Sequence, residues 1–187
     1  LVAKLVDAAD KIDANFAAIV GTPVPAVIGT DYQALKRMCE KKTDLPILAI
    51  DTDGMELYDK GEEKAYLALF TAFAKEKYEV CKEKVGILGM TPQDVSDLKA
   101  ADKVREELKK EGKEAICYGM GDGLEAVERA SEVGKNIVVS AAALEVAKYL
   151  EKTFGTPYEI GYPAAGELVP NLDYQGKKIL VVHQQVM

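Results

Sequence analysis

Three short apolar runs stand out in the middle of the chain: Val85-Gly86-Ile87-Leu88-Gly89-Met90, Ala115-Ile116-Cys117-Tyr118 and Asn136-Ile137-Val138-Val139-Ser140. Each is separated from the next by a polar stretch long enough for a helix that crosses back over a sheet, which predicts a βαβαβ unit of parallel strands. The helix between the first two runs shows its period at Leu98, Ala101, Val104 and Leu108, with Thr91-Pro92 at its start and Gly112 at its end. Asp122 and Glu125 have capping-box spacing ahead of Val127 and Ala130, and Ser140 is placed to cap a helix whose buried face is Ala143, Val146, Ala147, Leu150 and Phe154. Residues 158–176 read as loop or edge structure, and Lys178 to Val182 as one more strand with His183 past its end.

The same alternation precedes this unit. Val2, Leu5, Val6, Ala9 and Ile12 predict an amphipathic helix over residues 2–14, and residues 17–20 and 46–51 predict strands. Between them, two prolines in Gly21-Thr22-Pro23-Val24-Pro25 predict a turn or loop, and Thr30 or Asp31 caps a helix over 32–41. A broader stripe from Gly61 to Val80 predicts a long helix, and the Lys/Glu-rich stretch 76–84 marks the boundary between two lobes. The expectation is therefore α/β, doubly wound, with mostly parallel sheets and helices on both faces of Rossmann-type lobes. A partial amino-terminal lobe covers 1–80 and a second lobe covers 84–187.

Composition narrows the function more than it names it. With 48% hydrophobic residues the chain has enough apolar side chain for a core, and a formal net charge of -7 argues against nucleic acid or an anionic membrane as partner. No apolar run reaches a membrane-spanning length, and charges at Lys4, Asp7, Asp10 and Lys11 break any signal peptide, so a cytoplasmic protein is expected. The chain opens on Leu1 and stops soon after a predicted strand, which suggests a fragment of a longer subunit.

In parallel α/β sheets ligands collect beyond the carboxyl ends of the strands. That location, rather than any motif, selects Thr22, Asp31, Thr52, Asp53 and Gly121 as candidate cofactor-binding residues and Ser140 and His183 as candidate catalytic ones. His183 is the sole histidine, so no two-histidine metal site can be built, and no metal ligand is assigned. Gly119-Met120-Gly121-Asp122-Gly123 is not the dinucleotide fingerprint; it reads either as an anion-binding turn or as a structural one. Cys39, Cys81 and Cys117 are widely spaced and odd in number, which fits reduced thiols, and Cys117 reads as a small buried hydrophobe.

The stretches 19–31, 46–54 and 84–158, in that order and spacing, resemble the nitrogenase component 1 family, which includes the molybdenum-iron protein subunits and dark-operative protochlorophyllide reductase subunits. The resemblance implies an oxidoreductase subunit of several doubly wound domains. It also implies a second homologous subunit or a homo-oligomer, and electrons from a separate ATP-dependent reductase. The cofactor is left unknown: the family admits an iron-sulfur cluster, yet Pro23 stands where cluster-bearing members carry a cysteine ligand. Ser140 lies near the place of a cofactor-binding cysteine. Two functions follow: an electron-accepting subunit of unknown substrate, or a cluster-free module that binds a small molecule or docks a partner subunit.

Overall fold

Residues 1–9, 11–95, 97–163 and 175–178 are described by the computed structural model. The chain divides into two units, Leu1–Ala72 and Phe73–Met187.

In the first unit, helix α1 (Val2–Ala9) lays Val2 and Leu5 on a small core of Ile19, Tyr32, Cys39 and Ile47. It stops short of the predicted residue 14. Ile12 is exposed, so no burial holds another helical turn there. Strands β1 (Ala17–Val20) and β2 (Ile47–Ile50) pair in parallel, Ala17 opposite Ile47 through Val20 opposite Ile50. The proline-rich stretch after β1 forms a short helix, α2 (Pro23–Val27), where a loop was expected. Its prolines lie in the first turn, where the missing N–H has no helical acceptor and φ already suits a helix. Asp31 caps α3 (Tyr32–Glu40), its Oδ1 accepting from the Ala34 N–H at 2.8 Å. Helix α4 (Tyr58–Phe73) begins before Gly61 and ends well short of residue 80.

The second unit holds β3 (Cys81–Leu88), α5 (Ala100–Lys110), β4 (Glu114–Cys117), α6 (Leu124–Glu128), β5 (Val133–Val138), α7 (Leu144–Phe154) and β6 (Tyr158–Ile160). The strands form one parallel sheet in the order β4-β3-β5-β6. Val85, Ile87, Ala115, Cys117, Ile137 and Val139 point to one face and pack on Ala100, Ala101, Val104 and Leu108 of α5. Residues of opposite parity point to the other face. There Gly86 pairs with Asn136, and a Cβ at Gly86 would overlap the Asn136 carboxamide oxygen and come within 2.9 Å of the Tyr118 ring. Gly155, with φ of 79°, ends α7 in the left-handed conformation that favours glycine.

Three sequence expectations are corrected here. β3 starts at Cys81, so the polar stretch read as a boundary is in part strand; Cys81 pairs with Val133, and the ladder shifts register before Val85. Helix α5 starts at Ala100 rather than at Thr91-Pro92, and Leu98 is 73% exposed. Asp97 explains the late start: its carboxylate accepts from Lys99 N at 2.9 Å and its carbonyl from Ala100 N at 2.9 Å, a turn that competes with an earlier helix. Asp122 does not cap α6, whose N-cap is Gly123. Of the strand expected over 178–182, only Lys178 is described, without regular structure.

Candidate functional site

The loops that leave β1 and β2 are tied together at their first residues. Gly21 N donates to the Ile50 carbonyl at 2.9 Å, and Thr52 Oγ1 donates to the Gly21 carbonyl at 2.8 Å. Any side chain at Gly21 would overlap the Thr52 carbonyl, and a Cβ at Gly54 would lie 2.8 Å from the Pro23 ring. Asp53 closes its own turn, its Oδ1 accepting from Met55 N at 2.8 Å and Glu56 N at 3.2 Å. The Met55 N–H is the main reason its carboxyl titrates below the usual range. Thr22, at the N-cap of α2, is exposed and makes no side-chain cap. Thr22, Thr52 and Asp53 are thus brought together, whereas Asp31 sits at the start of α3 with one oxygen engaged by Ala34.

Beside this junction lies a surface that sequence reasoning missed. Val24, Val27 and Ile28 of α2 and its end are exposed, as are Met55 and Leu57 in the loop carrying Gly54; Val27 is 81% and Met55 80% exposed. The signal was present in the run 23–28, which has no polar side chain, but a loop assignment hid it.

In the second unit, Gly119 and Gly121 take φ of 99° and 107°, and the turn they form folds Asp122 back onto β4. Asp122 Oδ2 accepts from Cys117 N at 2.6 Å and from the Arg105 guanidinium at 2.8 Å. The position an anion would take at this turn is filled by the protein's own carboxylate. A Cβ at Gly121 would lie 2.7 Å from the same guanidinium. Cys117 is fully buried beneath this turn, and burial pushes its thiol up to about 11 even with Arg105 nearby.

Ser140 follows β5 and is 1% exposed; its Oγ accepts from Ala142 N at 3.3 Å, capping the short 3-10 turn Ala141–Ala143. Gly89, at the end of β3, lies so close that a Cβ there would be 2.7 Å from the Ser140 Cβ. Two residues on, Thr91 is buried, and its hydroxyl has no partner among the described residues. His183 lies outside the described residues. A separate cleft of about 280 Å³ is lined by Lys84 of β3, Ile116 of β4, Val133 of β5 and, from the turns and helix between, Asp122, Arg129 and Glu132 among others. There Glu132 accepts from Arg129 at 3.0 Å and pairs with Lys84 at 3.1 Å. Its lining comes from strands and turns far apart in sequence, so no local pattern announces it.

The profile of the family described as "Nitrogenase component 1 type Oxidoreductase" matches residues 1–164. The chain belongs to that family. Its fold agrees with a solved structure titled "Nitrogenase Cp1 at pH 6.5", at 22% identity and a TM-score of 0.69, over 85% of this chain and 32% of that one. A second, "Nitrogenase Cp1 at pH 5", gives 22% identity and 0.68 over 85% and 33%. The chain therefore spans about a third of the length of these structures. No curated protein matches it. Among the described residues no helix is long and apolar enough to cross a membrane.

The donor set does not fit the iron-sulfur cluster that the family resemblance implies. Clusters are held by thiolates. The strand-end loops of both units offer Thr22-Pro23 and Ser140-Ala141 instead, and among the described residues no three His, Cys, Asp or Glu side chains are grouped to hold a metal ion.

Proposed function

We propose that this chain is part of an electron-accepting subunit of a nitrogenase component 1-type oxidoreductase, working in the cytoplasm, and that substrate meets it beyond the carboxyl ends of β3 and β5. The observation that supports this most is the Thr91 hydroxyl, buried at the end of β3 with no partner among the described residues. Leaving such a group unmade costs about 1–3 kcal/mol, and a polar ligand group would recover it. Ser140 holds the neighbouring turn in place for that contact, and His183 serves as proton donor. Electrons come from an ATP-dependent reductase.

A second homologous subunit docks on the apolar surface of α2 and the loop after β2, with Thr22, Thr52 and Asp53 at its polar margin. Asp31 and Gly121 have a lesser part, since the carboxylate of one and the turn of the other are already engaged within the chain. The rival function, a small-molecule-binding module without electron transfer, draws its support from the absence of suitable thiolates at both strand-end loops.

The test is Thr91→Val in the full-length protein purified with its partner subunit. This change removes the hydroxyl with little change of shape, so stability is retained while turnover falls at least tenfold. Wild-type turnover in both Thr91→Val and His183→Ala would remove the crevice from consideration. Ligand binding that weakens in Thr91→Val, in a protein that takes up no electrons, would favour the binding module.

A further inference from the structure

We propose that this chain supplies no thiolate to an iron-sulfur cluster: Cys39 and Cys117 are packing residues of two separate cores, and Cys81 stands at the wrong end of its strand. The sequence contains three cysteines in all, and each is among the described residues. A cluster is held by cysteine thiolates that meet at one point. Within the second unit, Cys81 and Cys117 do not converge.

Cys39 is fully buried in the first unit among Ile19, Tyr32 and Ile47. Cys117 is fully buried in the second, beneath α5, with its Sγ near the Ala101 carbonyl at 3.9 Å. Neither can reach iron without its core opening. Cys81 is the one partly exposed thiol, and it donates weakly to Glu83 at 3.5 Å. It opens β3, while the strand-end loops follow Leu88; seven residues of strand separate the two by about 23 Å. Cys117 pairs with Ile87 near the opposite end, so Cys81 and Cys117 do not approach each other either.

Pro23 adds a second observation at the loop after β1. Its ring packs on Gly54 so closely that a Cβ there would lie 2.8 Å away. The place beside that turn is filled by the chain's own side chain. Any cluster found in the assembled protein is therefore held by residues other than the cysteines of this chain. This inference is independent of the crevice at Thr91 and survives if that reading fails.

The experiment uses the full-length protein, purified without oxygen together with its co-purifying subunit. Iron and acid-labile sulfide are measured in wild type and Cys81→Ser. Iodoacetamide labelling of each cysteine is mapped before and after iron is stripped with a chelator. The expected result is the same iron and sulfide content in both proteins, whether zero or stoichiometric, with Cys39 and Cys117 unlabelled under both conditions and labelled only in denaturant. A twofold or larger loss of iron in Cys81→Ser would overturn the proposal. So would labelling of Cys39 or Cys117 that appears once iron is stripped while the far-ultraviolet circular dichroism is unchanged. Because cysteines 39 and 117 are tested by labelling, the result does not depend on whether their substituted forms fold.

Discussion

Gly86 shows how little room the centre of the second sheet leaves. A methyl there would overlap the Asn136 carboxamide and press on Tyr118, both buried and held by neighbouring strands. Gly86→Ala is expected to destabilise the second unit by about 2–3 kcal/mol, the usual cost of overpacking a rigid core, measured by denaturant unfolding. Asp122 is the other residue on which local structure turns. Asp122→Asn removes the ion pair with Arg105 but leaves an acceptor for Cys117 N, so a loss of about 1–2 kcal/mol is expected, again by denaturant unfolding. The sequence reading placed Asp122 correctly in a turn and gave it the wrong task. Capping-box spacing is visible within a few residues, whereas Arg105 lies 17 residues away and its approach depends on how α5 packs on β4.

At the scale of elements, the runs that became β3, β4 and β5 were readable because strands buried on both faces carry few polar side chains. The misses have physical causes of their own. The prolines of α2 are compatible with a helix only in its first turn, a matter of position that a count of breakers overlooks. The start of β3 is polar, and its place in the sheet comes from backbone pairing with Val133.

The turn before β5 also carries a pH dependence. Arg129, followed by Lys84, holds the Glu132 carboxyl below its ordinary range. A depressed folded-state value contributes stability that is fully present above the unfolded value and lost as pH falls through the folded one. Glu132→Gln is therefore expected to cost on the order of 1 kcal/mol near neutral pH, with the two proteins converging as pH falls through the lowered Glu132 value, below the ordinary glutamate range, in acid titrations of unfolding. For the exposed surface of α2 and its neighbour loop, Val27→Asp combined with Met55→Asp should leave stability within about 0.5 kcal/mol, as expected for exposed positions. Co-purification of the partner subunit should fall at least tenfold; unchanged co-purification would place the partner elsewhere.

Over the whole molecule, the α/β class and the family were accessible from the order of apolar runs and from the stretches 19–31, 46–54 and 84–158. The candidate site was less so. Strand-end position picked out Ser140, but the Ser140 hydroxyl is occupied in capping the next turn, whereas the nearby Thr91 hydroxyl has no partner among the described residues. Which strand-end hydroxyl is left without a partner depends on packing between strands, and no spacing in the sequence encodes it.

The proposed role of this chain is as part of an electron-accepting component 1-type subunit. The most direct measurement is anaerobic: the full-length protein with its partner subunit is mixed with a reduced ATP-dependent reductase of the nitrogenase type, and oxidation of the reductase is followed with and without ATP. ATP-dependent oxidation that requires this subunit and its partner together is expected. Oxidation no faster than that of the reductase with ATP alone would contradict it.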